Sequence, residues 1–268
     1  MLPNINPLSL WAVLRIQDSF FSVPCDYVQS IVALTGIRPV PNVPKYIRGM
    51  INHRDQFIHL VDMRILLGIR SLNAEVDEFI ELMDSLMQDH VNWLDTLRNC
   101  INERKKFTLT TDPHECKFGE WYDNILPTIE DAALKSLLLS FEKPHHDIHG
   151  IAAHAEKLLE DGKEIEAMNL IEETKNYELR KMVKLFDEVK KNYRSNHREI
   201  AVVLEHSNFQ SALIVDEVVK ITNLLWDNWR SIDQDMIGYI KSKYMLGIAK
   251  IPENESPVVI LDVPSLFA

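Results

Sequence analysis

FIELMDSLMQDHVNWLDTLRNCI, residues 79–101, decides how the middle of this chain is read. Phe79, Leu82, Met83, Leu86, Trp93, Leu94, Leu97 and Ile101 recur with a period near 3.6, the mark of an amphipathic helix. His90 falls on that apolar stripe. Further along, Leu137, Phe141, Ile148 and Ala152 form a second stripe that takes in His145 and His149. An i, i+4 spacing sets those two imidazoles on one helical face, about one turn apart.

Between the stripes lies a polar turn, Thr110-Thr111-Asp112-Pro113-His114-Glu115, followed by Cys116-Lys117-Phe118-Gly119-Glu120-Trp121. A lone histidine on an apolar stripe is most often a hydrogen-bonded core residue. Three of them with a cysteine, all turned inward, are harder to bury, because each unpartnered polar group costs about 1–3 kcal/mol. A shared metal removes that cost, and three neutral imidazoles with one thiolate make a tetrahedral set suited to Zn2+. Spacing alone leaves both readings open. Of the neighbours, His146 turns about 100° away from His145 on a helix, toward solvent. Cys100, nearly three turns from His90, reads as a packed thiol, and His114 and His154 are not read as ligands.

With His90-Val91-Asn92-Trp93-Leu94 before the cysteine element and Pro144-His145-His146-Asp147-Ile148-His149 after it, residues 72–195 resemble the chemoreceptor zinc-binding domain. That family carries a His on its first helix, then Cys-x-[Phe/Leu]-Gly-x-Trp, then His-x-x-x-His on a later helix. The resemblance implies a Zn2+ held by His90, Cys116, His145 and His149. It also implies sensing of zinc or of oxidants such as hypochlorite, with Cys116 as the redox-sensing residue.

The flanks differ in kind. Ser9–Ile16, Ser19–Val23, Val28–Leu34, Met50–His53 and Phe57–Asp62 read as strands, as do Glu199–Glu205, Gln210–Val215, Val218–Asn223, Tyr244–Lys250 and Pro257–Asp262. An all-β unit is thus expected to be split by an all-α one, inserted at a loop, where closely spaced ends make insertion tolerable. Phe20-Phe21-Ser22-Val23-Pro24, Pro39-Val40-Pro41-Asn42-Val43-Pro44-Lys45-Tyr46-Ile47-Arg48-Gly49-Met50-Ile51-Asn52, Val61-Asp62-Met63-Arg64 and Leu67-Gly68 resemble the CheW-like adaptors of bacterial chemotaxis. Leu213-Ile214-Val215-Asp216-Glu217-Val218 and Val259-Ile260-Leu261-Asp262-Val263 resemble that family's second half.

This second resemblance implies a multidomain α+β chain, a CheW-like pair of small five-stranded β-barrels interrupted by a helical bundle. The expected parts are residues 1–69 and 199–268 for the adaptor and 70–198 for the inserted zinc-binding domain. It further implies the histidine kinase CheA and chemoreceptor tips as partners and Arg54 as a partner-binding residue, while resemblance of the insert to the zinc-binding family implies a homodimer through the helical domain. Two positions depart from the family pattern, Asp55 where most members have Gly and His59 where most have Pro. Asp tolerates a positive φ less readily than Gly but better than most residues, so the turn at 54–55 is expected to survive. Its carboxylate weakens the positive potential around Arg54.

Composition excludes other classes. The formal charge is −11, and residues 70–198 hold 26 acidic and 18 basic side chains, so most of the excess lies in the insert. No basic stripe with interleaved aromatics occurs, which argues against nucleic acid. Apolar runs such as Leu137-Leu138-Leu139 are far too short to span a bilayer. Met1–Pro7 lacks a basic signal-peptide n-region. The three cysteines are widely spaced and odd in number, as expected of reduced thiols in the cytoplasm. No enzyme is expected: four protein ligands would close a zinc shell, whereas a catalytic zinc keeps a position open for water. His-Glu-x-x-His, a phosphate-cradling Gly-rich loop and a nucleophile elbow do not occur. Two alternatives stand beside the sensor reading, a scaffold with a purely structural zinc and a zinc-dependent hydrolase.

Overall fold

In a computed structural model of the chain, residues 9–231 and 244–267 are described. The expectation for Met1–Pro7 lies outside them. The chain forms two compact units, one of Met1–Glu75 with His197–Ala268 and one of Val76–Asn196.

The first unit is built on two sheets. Strands β1 (Trp11–Ile16), β2 (Ser19–Pro24), β3 (Val28–Ala33), β4 (Ile47–His53) and β5 (Gln56–Asp62) precede the insert. β6 (Ile200–His206), β7 (Phe209–Val215), β8 (Glu217–Thr222), β9 (Leu225–Ser231), β10 (Met245–Lys250) and β11 (Pro257–Leu261) follow it. One sheet runs β8-β1-β2-β11-β10-β9, the other β3-β6-β7-β5-β4.

The two sheets follow one plan with the opening hairpins exchanged between the halves of the chain. A hairpin, β1–β2 or β6–β7, opens each half, and the next strand leaves to pair with the first strand of the other half's hairpin. Each half closes with a strand parallel to the second strand of the other half's hairpin, β5 on β7 and β11 on β2. A short helix follows each closing strand, α1 (Met63–Leu66) and later α8 (Val263–Leu266). The helical segment enters between the halves, after α1.

Strand burial follows from this plan. Along β1, Ala12, Leu14 and Ile16 face a core shared with Val202 and Leu204 of β6 and Leu213 and Val215 of β7. The alternate residues Trp11 and Val13 face a second core with Val258 and Ile260. β7 likewise turns Ala212 and Ile214 into a third core with Ile51, Ile58 and Leu60. Strands buried on both faces read as continuous apolar runs rather than as alternation. Gly49 is required in β4, because a Cβ there would lie 2.3 Å from the Arg38 carbonyl oxygen.

β9 has no counterpart among the expected strands, and it makes one sheet six-stranded where five were implied. Its Asp227-Asn228 pair belongs to residue types depleted in strands. Pairing with β10, through a register shift, supplies what local preference does not.

Buried charges in this unit are matched. Arg64, 5% exposed, donates to Asp216 at 2.6 and 2.7 Å and to Glu75 at 2.5 Å. Arg48 donates to Asp62 at 2.8 Å and Glu199 at 3.0 Å, and Asn73 reaches the other Glu199 oxygen at 3.2 Å.

The second unit is helical. α2 (Leu72–Asn102) runs into it and is followed by α3 (Lys117–Ile125), α4 (Ala132–Leu139), α5 (Glu142–Glu160), α6 (Glu164–Thr174) and α7 (Arg180–Asn196). A wider helical turn, Lys175–Leu179, joins the last two. One core gathers Met83, Leu86, Leu94 and Leu97 of α2 with Phe118, Phe141, Ile148, Met182 and Phe186. The stripe containing Leu137 and His145 is not one helix. A continuous helix would need Pro144 to donate to the Ser140 carbonyl, and proline has no N–H. The chain therefore turns at Ser140–Phe141 and restarts at Glu142, leaving Leu138 in the core and Leu137 at its edge. Among the described residues no helix is long and apolar enough to cross a membrane.

Candidate metal centre

Three helices converge on one point of the helical unit. α2 brings His90, whose Nδ1–H donates to the Leu86 carbonyl at 2.8 Å, one turn earlier on the same helix. That bond fixes the tautomer and leaves the Nε2 lone pair directed at Cys116 Sγ, 3.9 Å away. α5 brings His145 and His149, with ring centroids 4.9 Å apart. Cys116 caps α3 from an extended backbone (φ −80°, ψ 157°), and its sulfur accepts the Gly119 N–H at 3.2 Å. His145 Nε2 lies 3.2 Å from the same sulfur. The four donor atoms of His90, Cys116, His145 and His149 all lie within 4.8 Å of one another.

The surroundings are apolar. Phe118, 1% exposed, sets its ring 4.9 Å from His145 and 5.7 Å from His90, edge to face. Trp93 packs 4.9 Å from His149 and spends its indole N–H on the Thr110 carbonyl at 2.9 Å. His149 is 1% exposed, and neither of its ring nitrogens meets hydrogen-bond geometry with any group. The Thr110 carbonyl, which also accepts the Trp93 indole N–H, lies near the ring and favours its charged form, but burial outweighs it.

Burial governs the protonation of all four groups. It lowers His90, against the opposing pull of the Leu86 carbonyl. It lowers His145 to about 3, helped by the charges that His90 and His149 would carry, and His149 to about 4. All three imidazoles are therefore neutral at pH 7 and offer lone pairs. Burial raises the Cys116 thiol, while the backbone N–H groups of Gly119 and Phe118 pull it down. A neutral, buried, partly unpartnered set of three nitrogens and one sulfur is a donor set for a borderline-soft cation of tetrahedral habit. On that test the residues present fit Zn2+.

Two cavities reach the cluster. One of about 320 Å³ touches His90, Cys116 and His149, with the exposed Lys117–Asp89 ion pair (3.0 Å) on its wall. The other, about 460 Å³, touches His145. The neighbouring candidates lie elsewhere. His114 is exposed and paired with Asp123 at 2.8 Å, His146 and His154 are exposed, and Cys100 packs on the helical core. Arg54 is exposed in the two-residue turn between β4 and β5, with φ of 49° there and 64° at Asp55, so the turn forms without glycine. Nearby, the Arg38 guanidinium sits 5.1 Å over the exposed Phe57 ring. The Leu86 carbonyl, Trp93 and Phe118 were not singled out from sequence as the site's support. The signals were there, in the residue one turn before His90 and in the aromatics flanking two donors.

The CheW-like domain family matches residues 11–88 and 175–268. The chain belongs to that family. Its CheW-like sequence is split around a match to the chemoreceptor zinc-binding domain at residues 90–156, the stretch that carries all four donors. The chain is thus a chemotaxis adaptor of CheW-like type with an inserted zinc-binding domain. Among solved structures, the scaffolding protein TtCheW from Thermoanaerobacter tengcongensis aligns over 97% of this chain and 89% of its own, at 11% identity and a TM-score of 0.43. Among curated proteins none matches.

Proposed function

We propose that this protein is a cytoplasmic adaptor coupling chemoreceptor tips to the histidine kinase CheA, and that its inserted domain, residues 70–198, reports zinc or oxidant status. His90, Cys116, His145 and His149 hold the Zn2+, and Cys116 is the redox-sensing residue. The observation that carries the reading is His149. A fully buried imidazole with both nitrogens unpartnered is costly unless something coordinates it, and it sits beside three further donors.

Bound zinc would stabilise the thiolate and give its sulfur a nucleophile's character near neutral pH. The chain's residues prepare for it. Leu86 orients His90, and α5 holds two imidazoles at one-turn spacing. The first turn of α3 offers N–H donors to the sulfur, while Phe118 and Trp93 keep the site apolar. The cavity at Cys116 gives small oxidants a way in. Oxidation of the sulfur removes one of four ligands and loosens the helices they join. Arg54, exposed and unpaired among the described residues, is the partner contact on the adaptor side. A homodimer through the helical domain belongs to the same reading.

Elemental analysis of the purified full chain tests the site. Wild type should carry close to one zinc per chain. Cys116→Ala and His145→Ala should lose it, and His146→Ala should keep it. An empty site in His146→Ala with a full one in His145→Ala would overturn the assignment. Arg54→Glu should abolish co-sedimentation with receptor and CheA at unchanged zinc content. Unchanged kinase output in Cys116→Ala, with and without low-dose hypochlorite, would reduce the zinc to a structural role.

A further inference from the structure

We propose that Gly119 is the positioning residue of the metal centre, because only a residue without a side chain lets the Pro113–His114 backbone cross the first turn of α3 and set the Cys116 sulfur against the imidazoles. The inference rests on the metal-centre reading above and extends it from the donors to what places one of them.

Three donors are placed by long helices. His90 lies deep within the 31-residue α2, and His145 and His149 lie on the 19-residue α5. Cys116 differs. It ends the irregular segment 103–116, and a donor on a loop needs its geometry fixed by something else. The far part of that segment is anchored. Phe107 is buried against Trp93, its N–H donates to Glu156 at 3.2 Å, and the Thr110 carbonyl receives the Trp93 indole. The near part is held by a crossing of backbones at Gly119.

A Cβ at position 119 would lie 1.9 Å from the Pro113 carbonyl oxygen and 2.9 Å from both the Pro113 carbonyl carbon and His114 Cα. All three are backbone atoms, so no rotamer change relieves the clash. The crossing segment would have to retreat by roughly 1.5 Å to restore an ordinary contact. The same glycine donates its N–H to Cys116 Sγ at 3.2 Å, and the Pro113 carbonyl lies 3.4 Å from that sulfur. Sulfur, crossing strand and helix turn are therefore one unit. Metal–ligand bonds tolerate only about 0.2 Å, so a shift of roughly 1.5 Å removes the sulfur from the coordination shell while the imidazoles stay.

Cobalt(II) substitution of the full chain reads this directly, since a sulfur ligand gives a thiolate-to-cobalt charge-transfer band that imidazoles do not. Wild type and Gly150→Ala, where nothing lies within 4 Å of the new methyl, should both show the band. Gly119→Ala should bind cobalt roughly 10–100-fold more weakly and lose the band at unchanged helical circular dichroism. An unchanged band and affinity in Gly119→Ala overturns the proposal. If Gly119→Ala does not reach native helicity, Pro113→Gly decides. It loosens the crossing strand without filling space, and should weaken the band; a full-strength band overturns the proposal. Metal-free protein separates this inference from the metal reading. Mass spectrometry should find Cys116 alkylated by iodoacetamide faster in Gly119→Ala than in wild type, whether or not wild type takes up metal. Equal rates would mean that Gly119 does not hold the sulfur.

Discussion

In the β unit, Arg64 is 5% exposed and meets two carboxylates at 2.5–2.7 Å; in the helical unit, His149 is 1% exposed and neither of its ring nitrogens meets hydrogen-bond geometry. Both units bury groups that water would otherwise solvate, and they compensate differently. The β unit closes each ionic group with an opposite charge from its own chain, Arg64 with Asp216 and Glu75, Arg48 with Asp62 and Glu199. The helical unit packs four lone-pair donors into one apolar pocket, with only the Cys116 thiol proton to share among them. A self-satisfied network is structural. A set of lone pairs facing one another is complete only with a cation.

The largest expected difference between the two is their response to acid. In metal-free protein, His145 and His149 sit near 3 and 4, below the ordinary imidazole value. As pH falls below about 6.5 the unfolded chain takes up protons that the folded site refuses, so stability drops. The slope is about 1.4 kcal/mol per pH unit for each such imidazole, persisting down toward pH 4. In the β unit, burial raises Glu199, which gives the opposite sign. Urea unfolding of chelator-treated protein should therefore show the helical signal failing first between pH 6.5 and 4.5. A pH-independent helical transition in that window would erase the contrast.

Next in size is the response to apolar replacement. Arg64→Met leaves Asp216 buried without its cation and should cost about 3–5 kcal/mol, the range for breaking a buried pair. In metal-free protein, His149→Leu removes a polar group that makes no well-formed hydrogen bond and should be neutral or stabilising. Equilibrium denaturation of both variants checks the pair. If His149→Leu costs as much as Arg64→Met, the imidazole has a partner in the free protein and the open-site picture fails.

Much of this was legible in sequence because it followed from periodicity. The stripe through His90 and the i, i+4 pair at 145 and 149 gave helical faces, and the structure brings those faces together with Cys116. The turn at Arg54–Asp55 was also legible, since Asp accepts the φ of 64° it adopts. What sequence hid was decided by partners distant in the chain. β9 exists because β10 lies beside it, against the preference of Asp227 and Asn228. The close backbone crossing at Gly119 comes from a segment five to six residues back whose path no period encodes. The break at Ser140 was readable from Pro144 and was overridden by the strength of the apolar stripe.

The smallest effect separates two glycines of the same unit. Gly150 is exposed within α5, next to His149, and a methyl group there meets nothing within 4 Å. Glycine in a helix interior costs about 0.5–1 kcal/mol relative to alanine, because it loses more backbone freedom on folding. Gly150→Ala should therefore raise the stability of the helical unit by about that amount, with and without metal, and leave zinc affinity unchanged in a competition titration. The result bears on whether the pocket is preformed. If α5 already holds His145 and His149 as the metal needs them, stiffening it between turns changes nothing at the site. A tenfold fall in affinity with the stability gain intact would mean that α5 bends to close on the metal, and the four donors would then be a resting arrangement rather than the bound one.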